Sequence, residues 1–154
     1  MKNQKRNRTA CCLALVLVLI IIAALQACGG PKHVRKVTFV FTADENINDE
    51  RSVYIVVRKV NKKAFLAESY DEVANSVFAD PIDPAVLASR ILMPGTEEKI
   101  SMEIVKPDDV NIGVYALFAS PGKNWKLLLE TPLESKYAIK VKQSHLECRN
   151  IVNE

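Results

Sequence analysis

Ser52-Val53-Tyr54-Ile55-Val56-Val57-Arg58-Lys59-Val60 is the most strongly strand-forming stretch of this chain. β-Branched and aromatic residues fill it, and such side chains suit a pleated surface better than a helix, where they lose rotamer freedom against the preceding turn. At its centre both faces are apolar: Val53, Ile55 and Val57 alternate with Tyr54 and Val56. That pattern predicts a central strand in a sheet covered on both sides.

Upstream, Val37, Phe39 and Phe41 share one face of a first strand and Thr38 and Thr42 the other. Downstream, the period changes over residues 62–79. Ser69 and Glu72 have capping-box spacing, and Tyr70, Val73, Ala74, Val77 and Phe78 follow on one helical face, after a helical turn around Ala64 to Ala67. Asp80-Pro81-Ile82-Asp83-Pro84 ends the helix, because each proline disfavours helix in the residue before it. Strands then resume at Val86 to Met93, Glu98 to Val105, Asn111 to Ala119, Trp125 to Glu130 and Lys136 to Val141, separated by turn residues such as Pro94-Gly95 and Pro121-Gly122. An eighth falls around His145 to Cys148. The expected fold is mainly β, a two-sheet sandwich with a short helical insertion between the second and third strands.

The N-terminus has a different character. Lys2, Lys5, Arg6 and Arg8 precede an uncharged run from Ala10 to Leu25, the layout of a secretory signal. Leu25-Gln26-Ala27-Cys28 resembles the bacterial lipobox, in which the cysteine takes a diacylglyceryl group and becomes the acylated N-terminus. A cysteine suits that step because its thiolate is nucleophilic. The resemblance makes Cys28 the lipidation site, with residues 1–27 as signal peptide and 28–36 as a flexible tether. The sandwich is assigned to residues 37–147 and a C-terminal tail to 148–154. Gly29 and Gly30 follow Cys28 where an aspartate marks retention at the inner membrane in such lipoproteins, so the expected location is the outer membrane, facing the periplasm.

Loss of residues 1–27 removes four basic residues and takes the formal net charge from +3 to −1. Nothing global then favours nucleic acid as a partner. Of the four cysteines, Cys11 and Cys12 leave with the signal and Cys28 carries lipid, so Cys148 is left over, a candidate for cross-linking two chains or for simple burial.

Catalytic patterns are absent: no His-Glu-x-x-His, Gly-x-Ser-x-Gly, Cys-x-x-Cys or glycine-rich phosphate loop occurs. His33 and His145 read as solvated, Asp80 and Asp83 as turn formers rather than a metal pair, and Trp125 as core. No enzyme activity, cofactor or metal is expected. The stretch that invites a binding role is Ala43, Asp44, Glu45, Asn46, Ile47, Asn48, Asp49 and Glu50, longer than a hairpin connection needs and rich in carboxylates.

The strand 52–60, the helical insert from Phe65 to Phe78, Pro94-Gly95, Ile112-Gly113-Val114-Tyr115-Ala116-Leu117-Phe118 and Asn124-Trp125-Lys126 occur in an order that resembles the TssJ family, outer-membrane lipoproteins of type VI secretion systems. The resemblance runs from the lipobox to about Val141. It implies a transthyretin-like sandwich anchored by lipid that binds the periplasmic C-terminal region of TssM, an inner-membrane protein, through the loop between the first two strands. That loop maps to Ala43 through Glu50, and Ile47, its one apolar residue after Ala43, is the expected anchor in a partner pocket. The alternatives are a sandwich lipoprotein that binds a small ligand or glycan or serves another envelope assembly, and a periplasmic hydrolase.

Overall fold

The computed structural model describes residues 34–150. The signal, Cys28, His33 and the final residues 151–154 lie outside the described residues. In chain order the strands are β1 (Val34–Ala43), β2 (Val53–Val60), β3 (Val86–Leu92), β4 (Glu97–Val105), β5 (Asn111–Leu117), β6 (Lys126–Leu129), β7 (Lys136–Val141) and β8 (Leu146–Asn150). Two helices, α1 (Lys62–Ala67) and α2 (Tyr70–Val77), stand between β2 and β3. One sheet has the order β4-β1-β7-β8 and the other β3-β2-β5-β6. All neighbours are antiparallel except β1 and β7, which pair in parallel with Phe39 opposite Tyr137.

The two apolar faces of β2 now have separate uses. Val53, Ile55 and Val57 join Val37, Phe39, Phe41, Ile139 and Val141 in the core between the sheets, where the Phe39 and Tyr137 rings stack at 5.6 Å. Val56 faces the other way and packs with Tyr115, Phe65 of α1, and Val73 and Val77 of α2. The helices therefore form a third layer, and β2 is the strand they and the first sheet enclose. Each fully buried side chain of this size contributes about 1.5–3 kcal/mol of transfer free energy.

A glycine sets the depth of that outer layer. The Tyr115 ring lies over Gly113, and a Cβ there would fall 2.6 Å from the ring. The phenol donates to the Glu68 carboxylate just past α1. Arg58 lies over the ring at 5.6 Å and reaches Glu68 at 3.3 Å and Asp83 at 3.1 Å. Lys126 donates to the Phe65 and Glu68 carbonyls, so a cation closes the last turn of α1. At the start of α2 the predicted capping box forms, with Glu72 accepting from the Ser69 backbone N–H at 2.7 Å.

Three boundaries differ from the sequence expectation. β1 begins at Val34 rather than Val37, because β4 is long enough to pair Val105 with Val34. β8 runs to Asn150, so Cys148 sits opposite Ile139, half-buried in a sheet. Phe78, expected on the buried face of the helix, is 66% exposed: the helix ends at Val77, and Phe78 as its C-cap turns outward to lie 5.2 Å from the Tyr54 ring.

Candidate docking loop

The strand register places four connections at one end of the sandwich. They are the β1–β2 loop, the Pro94-Gly95 turn, the β5–β6 loop and the β7–β8 turn; Val34, where the chain enters, lies at the other end. A ten-residue strand such as β1 separates the two ends by about 30 Å.

The backbone of the β1–β2 loop has an unusual conformation. Asn48, Asp49 and Glu50 take φ values of 46°, 56° and 62° in succession. The left-handed region costs an L-residue about 1–2 kcal/mol, least for Asn and Asp, and three in a row persist only where the surroundings impose them. Asn48 supplies that constraint. Its Nδ2 donates to the Ser52 carbonyl at 2.7 Å, its Oδ1 accepts from the Ala119 N–H at 2.6 Å, and its own N–H donates to the Gln143 carbonyl at 2.8 Å. A single side chain thus joins the loop to β2 and to the β5–β6 loop, while its backbone holds the β7–β8 turn.

Asp44 secures the other side. Its N–H donates to Val141, its carbonyl accepts from Gly95, and its carboxylate lies 3.2 Å from the Lys142 ammonium. Gly95 takes φ +70°, which its missing Cβ allows, with the Glu45 side chain packed beside it.

Ile47 overturns one expectation. It is 0% exposed and belongs to the core between the sheets, so it plugs the end of the sandwich from within and is not available to a partner pocket. The reason is the left-handed turn, which folds residues 47 and 48 under the loop; Asn48 is buried with it. Asn48 is itself a sequence signal for this turn, since asparagine is among the few residues that enter the left-handed region readily.

Glu45, Asn46, Asp49 and Glu50 point outward. Asp49 meets Arg51 at 3.3 Å in an exposed pair, whereas Glu45 and Glu50 form no ion pair among the described residues. Beside them is a polar hollow of about 280 Å³ lined by Asn48, Asp49, Ser120, Gln143 and Ser144. The end of the molecule is therefore rigid, acidic at its rim and hydrogen-bonding in its hollow.

Other sequence candidates have structural roles. Asp83 accepts from the Ala85 N–H at 2.8 Å and pairs with Arg58, and His145 lies 3.2 Å from Glu147. Trp125 is partly buried against both apolar clusters and meets the Tyr70 ring edge-on at 5.0 Å. A second hollow, about 430 Å³, lies over Arg58, Ala64, Ala67, Glu68, Glu72 and Ser76. Its one cation, Arg58, already faces two carboxylates, which leaves no net positive charge there for an anionic ligand. No group of three or more His, Cys, Asp or Glu side chains among the described residues is placed to share a metal ion. Burial pushes the Tyr115 phenol far above its ordinary range, with the Glu68 hydrogen bond and charge adding to it, and burial also raises the Cys148 thiol.

The family model described as IglE, N-terminal domain, matches residues 54–141, from β2 through β7. The chain belongs to this family. The matched span begins just beyond the β1–β2 loop, so family membership rests on the sandwich and its helical layer. Among curated proteins none matches the chain. Solved structures share the fold, and all three of the following belong to type VI systems. Serratia marcescens Lip, described as a membrane-bound component of the type VI secretion system, is 22% identical over 79% of this chain and 100% of its own, with a TM-score of 0.59. A chain of a type VI membrane complex is 19% identical over 77% and 100%, with a TM-score of 0.62. The type VI lipoprotein TssJ1 of Pseudomonas aeruginosa is 16% identical over 78% and 98%, with a TM-score of 0.52. The fold expected from the TssJ resemblance is thereby found.

Proposed function

We propose that this protein is the lipid-anchored adaptor of a type VI secretion membrane complex. In this reading Cys28 holds it to the outer membrane, facing the periplasm, and the exposed residues of the Ala43 to Glu50 loop, Glu45, Asn46, Asp49 and Glu50, bind the periplasmic C-terminal region of a TssM-type inner-membrane protein, while Ala43, Ile47 and Asn48 are buried beneath them. The observation that carries the reading is the loop itself: a strained turn, fixed by Asn48 and Asp44, that presents Glu45, Asp49 and Glu50 at the end of the sandwich opposite Val34. Rigid presentation lowers the ordering cost of binding. The fold shared with a chain of a type VI membrane complex and with two type VI secretion proteins supports the choice of assembly.

Exposed carboxylates at a rim steer encounter more than they fix affinity, so the partner surface is basic, and the polar hollow accepts one of its hydrogen-bonding side chains. The test is a binding series with the purified TssM periplasmic region. Glu45→Lys with Glu50→Lys is expected to lower the association rate at least tenfold at low salt and less at high salt, with the fold intact. An association rate equal to wild type at every salt concentration refutes the loop assignment. The wild-type protein is expected to incorporate labelled palmitate and Cys28→Ser is not, and equal labelling of the two would remove the anchor from the reading.

A further inference from the structure

The four edge strands of the sandwich are unequal. β4 exposes Glu97, Lys99 and Glu103, β8 exposes Glu147 and Arg149, and β6 has only four residues. Charged or short edges resist pairing with another chain. β3 has seven residues and a single charge, Arg90, whose guanidinium folds back onto the Ser89 carbonyl at 2.7 Å. Opposite Tyr54 in the register, Ile91 is 58% exposed, and Met93 just beyond the strand is 53% exposed. Phe78, against the Tyr54 ring, completes an apolar strip with them. The strip ends at the Pro94-Gly95 turn, where the Gly95 N–H bonds to the Asp44 carbonyl, so it is continuous with the acidic loop.

We infer that the outer edge of β3 and the strip formed by Phe78, Ile91 and Met93 are the apolar half of the docking surface. They take an extended segment of the same partner, which adds to β3 as a strand and sets basic residues against Glu45 and Glu50. The inference rests on the loop reading above. With Ile47 inside the core, the loop has no apolar anchor of its own, and interfaces draw most of their affinity from such anchors. The free edge offers backbone donors and acceptors at strand spacing, which a lipid surface cannot match and a protein segment can. Two copies of this chain paired antiparallel through β3 would set their acidic loops at opposite ends and leave both unfilled.

The experiment compares three proteins with the TssM periplasmic region as probe: wild type, the loop variant Glu45→Lys with Glu50→Lys, and the strip variant Phe78→Ser with Ile91→Ser, both sites of which are more than half exposed. Backbone amide exchange of residues 89–92 is followed in parallel. Binding is expected to protect β3 amides in wild type, and the strip variant is expected to lose about tenfold in affinity, mostly through faster dissociation and with little salt dependence. Unchanged β3 exchange with wild-type affinity in the strip variant, while the loop variant is impaired, overturns the inference and leaves the loop reading standing. No binding by wild type overturns both. β3 protection that grows with concentration in the absence of the probe assigns the edge to self-association and overturns it as well.

Discussion

Asn48→Ala tests the idea that one side chain holds the β1–β2 loop in shape. The substitution removes the bonds to Ser52 and Ala119, at 2.7 and 2.6 Å, from a residue that is 8% exposed. Each bond contributes about 0.5–1.5 kcal/mol net, and a buried group left without its partner costs about 1–3 kcal/mol. Alanine at φ 46° also lacks the local tolerance of asparagine and adds about 1 kcal/mol. The sum is about 3 kcal/mol, a large share of the roughly 5–15 kcal/mol that holds a domain together. Urea unfolding followed by Trp125 fluorescence reads it: with a slope of about 1.5 kcal/mol/M, the midpoint falls by about 2 M. Asn48→Gly separates the causes, since it loses the same bonds but relieves the backbone, and it should recover about 1 kcal/mol of the loss. In hydrogen exchange the Ala119 amide should become fast in both variants. A midpoint within about 0.3 M of wild type, with Ala119 still protected, refutes the reasoning.

Gly113→Ala forces the Tyr115 ring from its seat and is expected to cost about 1–3 kcal/mol by overpacking, again read in urea; a wild-type midpoint would mean that the ring has room to move. The Glu72 carboxyl is held below its ordinary value, first by the Ser69 backbone N–H and then by the Ser69 hydroxyl. Its folded pKa is depressed, so its contribution to stability is present above the unfolded value of 4.5 and is lost as pH falls through the folded one. The stability difference between wild type and Glu72→Gln should therefore shrink on acidification below that value, and a difference that stays constant would remove the capping box from the account. Cys148, its thiol raised by burial, should react slowly with an alkylating reagent at pH 8 and fully once the protein unfolds; rapid labelling of the native protein would contradict its placement in β8.

Much of the sandwich was legible because burial writes itself into local pattern. The double-faced strand 53–60 proved to be central and covered on both sides, and Ser69-x-x-Glu72 marked the start of α2 to the residue. Pairing was not legible: β1 and β7 are joined across roughly a hundred residues, and no local signal records which distant strand completes a sheet. At the loop the counting of charges succeeded in finding the exposed rim, yet Ile47 and Asn48 were read by residue type instead of by backbone conformation. An apolar residue followed by an asparagine inside an acidic connection is a signal for a buried plug beside a left-handed turn. Phe78 was misplaced for a smaller reason, the loss of one residue at the helix end.

β1 joins the two ends of the sandwich directly, since its first residue, Val34, lies at one end and its last, Ala43, opens the β1–β2 loop at the other. On the proposed reading, a load between the lipid anchor and the partner runs along the covalent backbone of this one strand, as in a tie rod. Val37, Phe39 and Phe41 lie on that line and belong to the core between the sheets, while the helix-side cluster of Val56, Phe65, Val73, Val77 and Tyr115 contains no residue of β1, so a pull bears on one packed layer and spares the other.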